Sequence, residues 1–128
     1  MKAFAIEVHF GPANIKSMAR SDKIDETISY WSEQLERVKH HEPDARQASK
    51  DMVAHILTEN KHHTDPVAAE TVISALIWMT ATSDIGPTVL PFMRAGGMTI
   101  IYEITDLGGD KYNFRTSFDE KTSRALAL

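Results

Sequence analysis

The stretch from Asp65 to Thr82 constrains this chain more than any other segment. Asp65 is placed to cap a helix, and Pro66 falls at the first helical position, where a missing N–H costs nothing. From there the segment is apolar on nearly every side, with Val72, Ile73, Leu76, Ile77, Trp78 and Met79 in close succession. A helix without a polar face must be covered from more than one direction, so this one belongs at the centre of the fold. Residues 67–81 are too few to cross a bilayer, and Glu70 interrupts them. Glu70 lies near the first turn, where the helix dipole favours a carboxylate, so capping accounts for it better than acid–base catalysis.

Two amphipathic helices are predicted ahead of it. Residues 23–40 carry Ile24, Ile28, Trp31, Leu35 and Val38 on one face, with Asp22 as N-cap and Pro43 beyond the end. The next helix opens at Asp44, has Gln47 in the capping-box position, and presents Ala48, Met52, Val53, Ile56 and Leu57 before fading near Lys61. Residues 14–20 suggest a short helical turn. Beyond the central helix, residues 88–95 suggest one or two further turns, stopped by Gly96-Gly97.

The two ends of the chain have a different period. Phe4, Ile6, Val8 and Phe10 alternate with Ala3, Ala5, Glu7 and His9, until Gly11-Pro12 ends the run. Met98, Ile100, Tyr102 and Ile104 alternate with Thr99, Ile101, Glu103 and Thr105. Tyr112, Phe114, Thr116 and Phe118 alternate with Lys111, Asn113, Arg115 and Ser117. Directly opposed residues of an antiparallel pair share a face. A two-residue Gly108-Gly109 loop would set Ile104 against Asn113 and mix the faces. A three-residue loop, Gly108-Gly109-Asp110 with a bulge, sets Ile104 against Phe114 and Glu103 against Arg115.

The predicted order is β-α-α-α-β-β. The expected fold is α+β, a three-stranded, mostly antiparallel sheet with one face packed on a three-helix layer. Residues 1–128 read as a single domain, with 120–128 a frayed tail from which Leu126 and Leu128 can dock. Three short strands leave two sheet edges to be protected or offered to a partner.

Composition narrows the chemistry. The chain has no cysteine, which excludes disulfides, a thiolate nucleophile, zinc fingers and iron–sulfur clusters. Its formal charge of −4 argues against non-specific nucleic-acid binding, and protonating its 6 histidines would move that charge to +2. Glu7 breaks the apolar run a secretory signal would need, and a cytoplasmic location is the expectation. Phosphate-loop, dinucleotide and nucleophile-elbow motifs are absent. The helix order invites comparison with a winged helix, but the helix that would enter the major groove is the most apolar in the chain.

Two surface features remain. Asp51, His55, Glu59 and His62 or His63 share one helical face at steps of three or four, a spacing at which His55, Glu59 and His62 suit a divalent metal. A solvated stripe beside an apolar face explains the same pattern. The pairs His40-His41 and His62-His63 sit where imidazolium meets a helix C-terminus. Residues 85–93 hold Val89, Leu90, Phe92 and Met93 between Pro87 and Pro91, as either a buried short helix or an exposed patch for a partner.

The expected function is that of a small acidic cytoplasmic protein-binding or regulatory protein, an inhibitor or immunity-type binder. It would need no cofactor, nucleic acid or membrane, and would bind another protein or a second copy through a sheet edge. The alternative is a metal-dependent enzyme or metal-binding protein using the His/Glu face.

Overall fold

The alternation at both chain ends becomes a sheet. In the computed structural model, which describes residues 2–11, 19–38, 45–61 and 65–126, β1 (Lys2–Gly11) lies beside a two-residue strand, β2 (Ala19–Arg20). β1 also pairs antiparallel with β3 (Thr99–Gly108), which pairs antiparallel with β4 (Lys111–Phe118). The order is β2-β1-β3-β4. The three long strands and their antiparallel sense match the expected sheet. β2 is an addition, joined parallel to β1 through Phe10 and Gly11, and too short to show any alternation in sequence. The turn expected over residues 14–20 falls mostly outside the described residues, and its last two positions are β2.

The parity argument fixes the register. Ile104 faces Phe114, and Glu103 faces Arg115. The loop itself differs: Gly108 pairs with Lys111, leaving a two-residue turn of Gly109 and Asp110, with the irregularity between Asp106 and Gly108. The bulge supplies the odd residue that keeps the faces sorted. Positive φ at Gly109 (62°) and Asp110 (60°) matches the turn that follows the twist of a hairpin.

One face of the sheet is deeply buried along β3, where Ile100, Tyr102 and Ile104 are fully inaccessible, as is Val8 of β1. The other carries exposed Glu7, His9, Glu103 and Arg115. Arg115 and Glu103 approach to 4.0 Å, but both are exposed, so the pair adds little stability.

The chain divides into two compact units, Met1–Asp22 with Thr88–Leu128, and Lys23–Pro87. The sheet-bearing unit is thus assembled from both chain ends, and the helical unit falls between β2 and β3 in chain order.

Within the helical unit, α1 (Ile24–Val38), α2 (Ala45–Asn60) and α3 (Pro66–Ala81) follow the expected periods. Asp65 caps α3 as predicted, its carboxylate accepting the Ala68 N–H at 2.9 Å. Every residue from 75 to 80 is buried, which is what an all-round apolar helix requires. α1 and α3 are joined reciprocally: Trp31 Nε1 donates to Ser74 Oγ at 3.1 Å, and Trp78 Nε1 donates to Ser32 Oγ at 3.2 Å. Asp22 sits in a single 3-10 turn (Ser21–Lys23) before α1, and its carboxylate takes the Arg20 guanidinium at 3.2 and 3.0 Å. Asp44 lies outside the described residues, and Gln47 donates its side-chain amide to Asp51.

Two helices complete the chain. α4 (Gly86–Ala95) starts two residues earlier than expected and contains Pro91. α5 (Glu120–Leu126) replaces most of the expected frayed tail. Asp119 explains the ordering, since it accepts the Thr122 N–H at 3.0 Å at the head of the helix, while Thr122 and Leu126 are buried.

Asp119 also carries a pH signature. The hydrogen bond from the Thr122 side chain, with the Thr122 backbone N–H and nearby Lys121, holds its carboxyl below the usual aspartate range despite some desolvation. A depressed folded-state pKa means stabilisation that is complete above the unfolded value of about 3.9 and is lost as pH falls through the folded one. An NMR titration should place the Asp119 midpoint below about 3.9, and Thr122→Val should move it upward. A midpoint at or above the ordinary value would refute the capping account.

Candidate partner-binding site

The Pro-flanked segment forms α4, and the helix sets the direction of its side chains. Val89 and Met93, one turn apart, have no exposed surface, while Leu90 and Phe92 are half-buried. Positions two apart on a helix diverge by about 200°, so Leu90 and Phe92 occupy opposite flanks of the buried stripe. The face between those flanks is Pro87, Thr88, Pro91 and Arg94, all exposed. The four candidates therefore do not form one apolar patch.

The His/Glu face of α2 is solvated. His55 Nε2 lies 3.0 Å from Glu59 Oε1, with the two side chains 69% and 62% exposed. Asp51 is engaged by Gln47. His62, His63 and the pair His40-His41 lie outside the described residues. Among the described residues, no group of three or more His, Asp or Glu side chains is arranged to hold a metal ion. Glu70 is exposed on α3, not enclosed as acid–base catalysis would require.

A cleft of about 210 Å³ opens where α3 ends, between Ser49 and Lys50 of α2 and the residues Thr82, Ser83 and Asp84, over Met79 and Ile85. It is smaller than the roughly 300–1,000 Å³ of typical ligand cavities. Its hydroxyls serve the helix end: Thr82 Oγ1 donates toward the Trp78 and Met79 carbonyls, and Ser83 Oγ donates to Thr80 at 2.6 Å.

The sheet offers more. β4 is the last strand of the sheet, eight residues long, paired to β3 on one side and, among the described residues, with no strand on the other. Tyr112, Phe114, Thr116 and Phe118 are all half-exposed, on the face where β3 is fully buried. Tyr112 and Phe114 have ring centroids 6.4 Å apart. Phe4, in the same row as Ile104 and Phe114, is 40% exposed. An apolar row thus runs from Phe4 on β1 through Ile104 to Phe114, incompletely covered where the described sheet ends.

No known protein family, curated protein or solved structure matches this chain.

Open edges were foreseen from strand number alone, but the residues on them were not. The usable signal was polarity: β3 reads Ile100, Ile101 and Ile104, whereas β4 includes Asn113, Arg115, Thr116 and Ser117. The strand with more polar positions is the one suited to an edge.

Proposed function

We propose that this chain is a protein-binding protein of regulatory or inhibitory type, which receives a partner strand along β4. The observation that carries this reading is that β4 ends the sheet among the described residues, with half-exposed aromatic side chains along it. A strand added there would gain main-chain hydrogen bonds, and its alternate side chains would cover Tyr112 and Phe114. The remainder of the molecule fits binding better than catalysis. Among the described residues the buried polar side chains are the hydroxyls of Ser49, Thr80, Thr122 and Tyr102 and the indoles of Trp31 and Trp78, with no buried carboxylate or imidazole poised for proton transfer. No described helix is long and apolar enough to cross a membrane, and a cytoplasmic location belongs to the same proposal.

The test is affinity capture from native-host lysate using wild type, Phe114→Lys and Leu90→Asp, each checked for folding by thermal melt. A lysine at the edge opposes strand addition. Phe114→Lys should reduce recovery of a captured protein at least about tenfold, equivalent to 1.4 kcal/mol, with Leu90→Asp unaffected. Equal capture by wild type and Phe114→Lys would remove β4 as the site.

A further inference from the structure

Resting on the reading of β4 as a binding edge, we infer that its partner is β4 of a second copy of this chain. The two strands run antiparallel about a two-fold axis through Phe114.

The sequence of β4 is self-complementary in one register. A two-fold axis passing between two residues would set Phe114 against Arg115, placing an aromatic face against a polar one. An axis through a residue keeps even positions facing even, so the half-exposed aromatic face continues across the joint. Centring on Arg115 opposes two arginines. Centring on Asn113 opposes Lys111 to Arg115. Like charges directly opposite are unfavourable, so both registers are disfavoured. Centring on Phe114 opposes Phe114 to itself, Tyr112 to Thr116, Asn113 to Arg115 and Lys111 to Ser117. No like charges meet, and every residue of the strand except Phe118 is paired. Axes still nearer either strand end leave more of β4 unpaired.

The charges on this edge thus have a second effect. Lys111 and Arg115 discourage indiscriminate pairing, as edge lysines and arginines do, and they discriminate between neighbouring registers. The row Phe4–Ile104–Phe114 would meet its symmetry mate at Phe114, extending one apolar row through both copies. Such an interface is isologous and closes at two copies.

The chain contains no cysteine, so single introduced thiols report the register without background. Sedimentation equilibrium of wild type from about 1 µM to 1 mM should show the mass rising from 14.3 kDa toward twice that value, and Phe114→Lys should remain at 14.3 kDa throughout. Opposed positions bring Cβ atoms to about 4.5–5.5 Å, close to disulfide reach. Under mild oxidation Phe114→Cys should therefore cross-link to itself. Tyr112→Cys and Thr116→Cys should cross-link when mixed but not separately. A wild type that stays monomeric across the range overturns the second-copy inference. The edge reading survives that result if Phe114→Lys still abolishes capture of a different protein. A dimer that persists in Phe114→Lys, with no cross-link at these positions, overturns the β4–β4 dimer, and the edge reading falls with it only if Phe114→Lys also captures as much protein as wild type.

Discussion

Truncating Trp78 to alanine is expected to lower the unfolding free energy by about 3–5 kcal/mol, the range for removing a buried aromatic side chain. The indole is 1% exposed on α3, the helix whose residues 75–80 are all buried. Its ring lies 6.4 Å from that of Trp31, centroid to centroid, and its Nε1 donates to Ser32. Alanine would leave a cavity lined by a second indole and deprive the half-buried Ser32 hydroxyl of its donor. For a domain stable by about 5–15 kcal/mol, that is a large fraction of the total, worth about 10–20 °C in thermal midpoint. Trp78→Phe separates the two contributions, retaining most of the aromatic volume while losing the donor, and should cost less than half as much. Val67→Ala, at a side chain 72% exposed on the same helix, should change stability by less than about 0.5 kcal/mol. Urea denaturation measures all three. A Trp78→Ala loss near that of Val67→Ala would show that α3 is not the centre of the helical unit.

The importance of Trp78 was legible in the sequence because a helix without a polar face has few places to go. Likewise Asp65-Pro66 announced the start of α3, and strand parity announced which residues oppose one another in the hairpin. These features depend on local chemistry or on counting. Features that depend on partners distant in sequence were harder to see. β2 exists through two residues pairing with Phe10 and Gly11, and two residues have no period. α5 reads as a tail in the sequence because its seven residues bury only Thr122 and Leu126, too few to display a helical stripe. The sequence points to a three-residue hairpin loop because parity requires an odd residue without specifying whether it sits in the turn or in a bulge.

The same distinction explains the candidate site. Val89, Leu90, Phe92 and Met93 stood out by composition, but composition does not say which way a side chain points. The helical spacing of 89 and 93 puts that pair on the buried stripe, and 90 and 92 fall to either side. On β4 the alternation identified the faces, while its status as an edge depends on β3 choosing β1 as its other neighbour. That choice is a property of the assembled sheet.

Gly86 provides the other large effect, and here steric contact opposes backbone propensity. Gly86 opens α4, and on helix propensity alone alanine would be favoured by up to about 1 kcal/mol. A Cβ at this position would lie 2.1 Å from the Ala81 carbonyl oxygen and 2.8 Å from its carbon. Those are backbone atoms in the last turn of α3, so no rotamer change relieves the overlap. The turn is further closed by the Gly86 N–H, which donates to the Ser83 carbonyl at 3.0 Å. Gly86→Ala should therefore destabilise by about 3 kcal/mol, at the upper end of ordinary overpacking, and Gly86→Val by more. Gly97→Ala is the informative comparison. Gly97 has nothing within 4 Å of a built Cβ but a φ of +80°, so its cost should be the left-handed backbone penalty alone, about 1–2 kcal/mol. Calorimetric melts of the two variants distinguish overlap from backbone strain. If Gly86→Ala proves neutral or stabilising, the close approach between the end of α3 and the start of α4 is not maintained in solution, and propensity governs that junction instead.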